Sequence, residues 1–178
     1  LRLSANAARP VAAVREEEQL RRGPTGLVGR RIVVGDLGMS PTIAGDIGAA
    51  LRQEGARVLL LNHPDGSTHA RGANQFEAEA YIGVTVVDHD ECSAWFYETG
   101  SFSSHGGRHL AQRGVDALVP ILGTPGTVEG KRTSVLRETR MPAVLFRLGP
   151  RSVVENRSAI AAAVIEAVGS WVLDPDNG

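Results

Sequence analysis

Short apolar runs alternate with amphipathic segments along most of this chain, and this alternation restricts the fold more than any other feature. Strands are predicted at "RIVVGD" (31–36), "RVLLLN" (57–62), "YIGVTVVD" (81–88), "CSAWFYE" (92–98), "TSVLRE" (133–138) and "AVLFRLG" (143–149). Helices are predicted at about 41–54, 70–79, 104–122 and 155–172, and "GTPGTVEG" (123–130) is interpreted as a loop. Because several strands are apolar throughout, the pattern predicts an α/β fold: a mostly parallel twisted sheet with helices on both faces.

Two helix starts carry local signals of their own. Ser40 precedes Pro41, which predicts Ser40 as an N-cap and Pro41 at the first helical position. Ser103 or Ser104 is predicted to cap the third helix. Residues 1–29 form a charged lead-in with a short predicted helix at 14–22, and residues 174–178 form a tail.

Composition excludes several classes of protein. The chain has 178 residues, 42% of them hydrophobic, and a formal net charge of −1. This suits one globular domain with a full core and gives no electrostatic footprint for nucleic acid or an anionic membrane. No run approaches the roughly 20 apolar residues of a membrane span. A single cysteine, Cys92, excludes an internal disulfide framework and suits a reducing compartment.

Several polar groups are candidates for chemistry, each with a plainer alternative. The run Asp88, His89, Asp90 and Glu91 could bind a hard cation loosely or form a solvated loop. The i, i+4 spacing of His105 and His109 could hold zinc on one helix face, although no third ligand is evident.

The remaining candidates carry weaker signals. The "SSHGG" stretch (103–107) could present backbone N–H groups to an anion. Cys92 is interpreted as a packed apolar residue, since no ordered base lies nearby in sequence. His63 and His69 flank a turn and give no further signal.

Three stretches carry a family resemblance. The stretch "SVLRETRMPAVLFRLG" (134–149) resembles "VLRET-MPAVLVELGF" of the zinc-dependent N-acetylmuramoyl-L-alanine amidases, and "ARGANQFEAEAYIGVT" (70–85) resembles their "R-ANE--ADLFISIH". The lead-in "VREEEQLRRGPTGLVGRRIVV" (14–34) is similar to that of the mycobacterial CwlM-type branch, in which zinc-site residues are also altered. The resemblance covers residues 29–172 and implies an amidase-like domain at 30–173.

The resemblance also implies where the family's site residues fall. Active members hold zinc with His, Glu and His and use a further Glu as general base, which leaves one zinc position for a water of lowered pKa. These positions map near Gly38, near Ser40, to Thr85 and to Arg147. None of the four offers an imidazole or a carboxylate, so the resemblance implies neither metal ligands nor catalytic residues here.

Four residues are expected to line the remains of the family's cleft: Asp36, Thr85, Glu138 and Arg147. Arg147 is always charged and cannot accept a proton. We expect it either to pair with a nearby acid such as Glu138 or to bind an anionic ligand or partner.

The resemblance implies a function outside catalysis. The expectation is a catalytically inactive amidase-like domain, without cofactor, that regulates peptidoglycan synthesis through protein contacts in the cytoplasm of an actinobacterium. In CwlM-type proteins the phosphorylated form stimulates the UDP-N-acetylglucosamine enolpyruvyl transferase, which is therefore the expected partner. The alternatives are a zinc amidase with a rearranged site and a non-cutting muropeptide-binding module. A signal peptide ahead of Leu1 in a longer protein would place the domain outside the cell.

Overall fold

A computed structural model describes residues 26–38 and 41–174 of the chain. Strands and helices alternate along most of this part. In chain order the elements are β1 (Arg31–Asp36), α1 (Pro41–Gln53), β2 (Arg57–Asn62), α2 (Gly66–Gln75), β3 (Ala80–Val86), β4 (Cys92–Tyr97), α3 (His105–Leu122), β5 (Gly126–Lys131), α4 (Ser134–Glu138), β6 (Ala143–Leu148) and α5 (Pro150–Val172).

The strands form one sheet in the order β2-β1-β3-β6-β4-β5. Strands β2, β1, β3 and β6 are parallel to one another. Strand β4 runs antiparallel to β6, and β5 runs parallel to β4. The predicted mostly parallel sheet is confirmed, and the carboxyl ends of β3 and β6 lie beside the amino end of β4.

Helices cover both faces of the sheet, as predicted. Helices α1, α3 and α5 pack on one face, around a core that includes Ile47, Leu110 and Val164. Helices α2 and α4 pack on the other face, around a smaller core that includes Tyr81 and Leu145. No helix in the described ranges is both long enough and apolar enough to cross a bilayer.

Local capping signals explain where two helices begin. Asp65 caps α2, with its carboxylate accepting from the backbone N–H groups of Ser67 and Thr68. Ser104 caps α3 by accepting from the N–H of Gly107, and α3 ends at Gly123 in the left-handed conformation. The prediction of Ser104 as one of two possible caps is confirmed. Ser40 and the predicted helix at 14–22 lie outside the described residues.

Four sequence predictions of elements are wrong in type or in extent. The segment 134–138 is the helix α4 rather than a strand, because its adjacent residues Val135 and Leu136 are both buried on the same side of one turn. The loop predicted at 123–130 contains most of β5, an edge strand that contributes one apolar residue, Val128, to the core periphery. Helix α2 begins at Gly66. Helix α5 begins at Pro150, but a kink at Asn156 (φ −127°) separates its first turns from a longer part that nearly coincides with the predicted 155–172.

Asn74 ties helix α2 to the segment that follows α4. Its Nδ2 donates to the carbonyl oxygen of Glu138 at 2.9 Å, and its Oδ1 accepts from the N–H of Arg140 at 2.9 Å. The side chain therefore gives hydrogen-bond partners to two backbone groups in a connecting segment. This contact joins α2 to the segment after α4, on the face of the sheet that these two helices cover.

Candidate cleft at the carboxyl ends of the strands

Thr85 and Arg147 lie side by side where β3 and β6 end. Thr85 pairs with Arg147 in the parallel ladder, and Arg147 pairs with Ser93 in the antiparallel ladder to β4. Paired residues on neighbouring strands project from the same face of a sheet. The two positions that the resemblance assigned to a zinc ligand and to the general base are therefore direct neighbours.

Arg147 forms an ion pair with Glu91, which immediately precedes β4. Its Nε donates to Glu91 Oε1 at 2.9 Å and its Nη2 to Glu91 Oε2 at 3.4 Å. The side chains are 22% and 20% exposed, so the pair is largely shielded from water. Arg147 therefore pairs with a nearby acid, as expected, but this acid is Glu91 and not the suggested Glu138, which contacts Arg137 at 2.6 Å. Glu91 was not recognisable as the partner, because sequence did not reveal that β4 runs antiparallel beside β6.

Glu91 collects further donors, and the chain of contacts continues to the surface. The hydroxyl of Ser93 donates to Glu91 Oε1 at 2.5 Å, and His89 Nε2 lies 2.8 Å from Oε2. The other ring nitrogen of His89 lies 2.8 Å from Asp88. Because the two carboxylates sit on opposite nitrogens of one ring, they do not converge on a point where a cation could bind.

These contacts shift the pKa values of the chain's members in opposite directions. The hydrogen bond from Arg147, followed by the effect of Ser93, holds the pKa of Glu91 below its usual value despite partial burial. The hydrogen bond to Asp88, assisted by Glu91, raises the pKa of the exposed His89 ring. The network therefore favours ionised carboxylates and a cationic imidazole.

Trp95 forms the floor beneath Arg147. The guanidinium carbon of Arg147 lies 4.2 Å from the centroid of the Trp95 ring, and Lys131 Nζ lies 5.1 Å from the same centroid. Lys131 is itself paired with Glu129 at 2.6 Å. Arg147 and Lys131 are thus each paired with a carboxylate and lie over the same aromatic ring.

The segment between β3 and β4 closes over the end of β6. The N–H of Val87 donates to Leu148 O at 3.0 Å, and the N–H of Gly149 donates to Glu91 O at 2.9 Å. A Cβ at Gly149 would lie only 2.9 Å from the carbonyl oxygen of His89, so glycine permits this close approach. Backbone and side-chain contacts together fix the position of Glu91.

Asp36 ends β1 and pairs with Val84 in the parallel ladder, so the alternation of strand side chains places it on the face of the sheet opposite Thr85 and Arg147. Asp36 is 2% exposed; its Oδ1 accepts from the N–H of Gly38 at 3.0 Å, and its Oδ2 has no hydrogen-bond partner among the described residues. Gly38 has a φ of 123°, which an L side chain rarely adopts. The position mapped to the family's first histidine therefore has a backbone suited to glycine. Ser40 lies outside the described residues.

A buried histidine near this end was missed by sequence reasoning. His69 is fully buried, and its Nδ1 shares a 2.8 Å hydrogen bond with the hydroxyl of Tyr81. Burial lowers the pKa of the His69 ring and raises that of the Tyr81 hydroxyl, so both groups are neutral at pH 7. Gly35 leaves the room for them. The pair is part of the second core rather than of a solvent-facing site.

The other candidate residues make packing contacts or local hydrogen bonds. The rings of His105 and His109 lie with their centroids 4.2 Å apart and their planes tilted by 45° near the start of α3. Burial raises the pKa of the Cys92 thiol, so this residue packs as an apolar group. His63 Nδ1 accepts from the N–H of Asp65 and helps to shape the start of α2.

The residues of this cleft do not fit a zinc ion. Zinc sites in proteins use imidazole, thiolate and carboxylate ligands, whereas the adjacent positions here carry a hydroxyl and a guanidinium. Across residues 26–38 and 41–174, no three His, Cys, Asp or Glu side chains are grouped so that they could hold a metal ion. Glu91, the nearest carboxylate to Arg147, is already committed to three side-chain donors.

Comparison with known proteins identifies the fold. No family model and no curated protein sequence matches the chain. Among solved structures, an N-acetylmuramoyl-L-alanine amidase from Clostridium difficile 630 matches with a TM-score of 0.65 at 16% identity, covering 83% of this chain and 98% of that one. The catalytic domain of CwlV, an N-acetylmuramoyl-L-alanine amidase from Bacillus (Paenibacillus) polymyxa var. colistinus, gives 0.63 at 13% identity and covers 79% and 97%.

A third structure agrees with these two. The catalytic domain of the CD27L endolysin, which targets Clostridia difficile, matches with a TM-score of 0.62 at 15% identity, covering 78% of this chain and 96% of that one. The chain therefore has the fold of N-acetylmuramoyl-L-alanine amidase catalytic domains, and the resemblance inferred from sequence is confirmed at the level of the fold.

Proposed function

We propose that this chain is a catalytically inactive amidase-like domain that regulates peptidoglycan synthesis by contacting another protein. The observation that carries the proposal is the pairing of Thr85 with Arg147, at the neighbouring positions where amidases would place a zinc ligand and a general base. The amidase fold is present, whereas the side chains that its chemistry requires are replaced.

Electrostatics at Arg147 oppose metal binding. A fixed cation about 4 Å from a divalent ion raises its energy by several kcal/mol at the effective dielectric of a partly buried site. Glu91 neutralises this charge by pairing with Arg147, and its carboxylate is then not available as a metal ligand. Neither partner is free to act on a metal-bound water.

Proton transfer is opposed for a related reason. A general base works best when its pKa lies near the operating pH. Arg147 cannot accept a proton, and the donors around Glu91 hold its pKa below the usual value, which makes it a weaker base than an ordinary glutamate. The residues of this cleft therefore lack a group suited to activate water.

A regulatory role would place the domain in the cytoplasm, with the UDP-N-acetylglucosamine enolpyruvyl transferase as its proposed partner. The surface around the cleft supports contact with a protein, since the exposed Asp88 and His89 continue the charged network outward. Charged groups arranged on a rigid surface give specificity and speed association. Both the partner and the location follow from the resemblance to CwlM-type proteins.

A second candidate function is binding of muropeptide without cleavage. It is supported by the coverage of nearly the whole length of amidase catalytic domains and by an aromatic floor, Trp95, within the cleft. An aromatic ring beside charged groups is a common element of ligand sites. This candidate needs a ligand but no metal.

The test measures zinc and hydrolysis on one preparation of the full, untagged chain. After dialysis against trace zinc, we expect mass spectrometry to find far less than one zinc per chain. Incubation with muropeptide should release no peptide, whereas an active zinc amidase assayed in parallel should. About one zinc per chain together with peptide release would contradict the proposal and support the rearranged-site amidase.

Binding assays then separate the two non-catalytic candidates. Titration calorimetry with intact muropeptide should give no heat if the domain acts through a protein, and a saturable signal if it is a muropeptide-binding module. Co-elution with purified enolpyruvyl transferase in size-exclusion chromatography is the corresponding positive result for the regulator. Absence of both signals would remove both candidates.

A further inference from the structure

The outer edge of β2 is open among the described residues. Strand β2 pairs only with β1, and the N–H groups of Arg57 and His63 point inward, to Arg30 O at 2.8 Å and Asp36 O at 3.1 Å. In a parallel ladder alternate residues direct their backbone groups to the same side. The backbone groups of Val58, Leu60 and Asn62 therefore point outward.

This outward set is symmetric about Leu60. If a second strand ran antiparallel with Leu60 opposite Leu60, Val58 would face Asn62 and Asn62 would face Val58, so each pair could exchange both of its hydrogen bonds. Two copies paired in this register would form an isologous two-fold interface. We propose that β2 pairs with β2 of a second copy of this chain, which joins the two sheets into one.

The side chains of the edge suit such an interface. Leu60 is 40% exposed and lies against α1, where a Cβ at Gly48 would be only 2.6 Å from its Cδ2. Its inner side is therefore packed and its outer side is in water. Leu59 and Leu61, on the opposite face, are also only partly buried. A second strand would cover Leu60 of both copies, and an uncovered apolar edge strand is otherwise a liability for a soluble protein.

Charges at the two ends of β2 favour the antiparallel orientation. Exposed Arg57 stands at the start of the strand, and Asp65, held as the N-cap of α2, follows its end. In the proposed register Arg57 faces His63 of the second copy and lies diagonal to Asp65, within reach of a long side chain. Because the proposed interface has two-fold symmetry, Arg57 and Asp65 also approach each other at its other end.

Arg52 opposes the pairing. Its Nη2 donates to Val58 O at 3.1 Å and so occupies one outward acceptor. Pairing would release this exposed side chain to solvent. Removing it is expected to strengthen the interface, whereas disruption of Leu60 is expected to weaken it, and these opposite signs make the proposal testable.

The experiment is sedimentation velocity on the full chain over a range of concentrations. We expect a dimer of the 18.8 kDa chain, and Leu60→Lys should raise its dissociation constant about tenfold or more, equivalent to about 1.4 kcal/mol. Arg52→Ala should lower that constant. Val154→Lys adds the same charge at a position that is 77% exposed on α5 and should change nothing.

Circular dichroism of each variant shows whether it has folded. A wild-type chain that stays monomeric at high concentration would overturn the proposal and leave the edge to another segment or protein. A dimer unaffected by Leu60→Lys, in a folded variant, would also overturn it, since the contact would then lie elsewhere.

Discussion

The pair of Arg147 and Glu91 should stabilise the fold by more than any exposed ion pair of this chain. A hydrogen bond to a charged group contributes about 1.5–3 kcal/mol, and a cation over an aromatic ring adds about 0.5–1 kcal/mol. Since both side chains are four-fifths buried and Arg147 also stacks on Trp95, Arg147→Met should cost about 3 kcal/mol. For a domain of this size that corresponds to a melting temperature lower by roughly 6–12 °C.

A double-mutant cycle isolates the interaction. Denaturant unfolding of Arg147→Met, Glu91→Gln and the double variant should give a coupling free energy of about 1.5–2 kcal/mol. The matched control is the Arg151–Glu155 pair on α5, with the same 2.9 Å distance but side chains that are 78% and 56% exposed. Its cycle should give less than about 0.5 kcal/mol. Equal coupling in the two cycles would refute the argument from burial.

The same pair sets the direction of the pH dependence. The pKa of Glu91 is held below its usual value of 4.5 in the folded chain, mainly by Arg147. A lowered folded-state pKa stabilises the fold above the unfolded pKa, and this contribution is lost as the pH falls through the folded value. The difference in unfolding free energy between wild type and Glu91→Gln should therefore be full at pH 7 and shrink below pH 4.5.

Two further predictions concern packing and the tie between helices. Gly35→Ala should destabilise by about 2 kcal/mol or more, because the new Cβ would lie 2.2 Å from the Tyr81 hydroxyl and 2.4 Å from His69 Nδ1; Gly45→Ala, with open space around it, should stabilise by about 0.5–1 kcal/mol in the same urea unfolding assay. Asn74→Ala should cost about 2 kcal/mol and speed hydrogen exchange in the segment after α4, whereas unchanged exchange there would show that the tie is dispensable.

The sequence predicted much of the fold because most strands are buried on both faces. The ranges of β1 and β2 were predicted to the residue, since an unbroken apolar run bounded by polar residues leaves little ambiguity. Strand β5 was missed because its sequence, "GTVEGK", contains a single apolar residue, Val128, between two glycines. Helix α4 was taken for a strand because five residues are too few to show a helical period.

The site was less predictable than the fold. Thr85 and Arg147 were assigned to one cleft through the resemblance of their own segments, because local sequence can carry such a resemblance; that they are ladder neighbours came from the structure. The partner of Arg147 depended on the direction of β4, which is a property of the whole sheet. Glu91 lay in a polar run that looked like a solvated loop, and only the antiparallel ladder brings it beside β6.

The central position of β6 has a consequence for how the sheet assembles. Strands β2, β1 and β3 form one group and β4 and β5 another, and β6 lies between them. It is the last strand of the described chain, and it pairs Ala143 with Tyr81 and Leu145 with Trp95, both far back in sequence. Until it inserts, β3 and β4 each lack a neighbour. The cleft, with Arg147 at its centre, is therefore complete only once β6 joins the two groups of strands, both of which precede it in sequence.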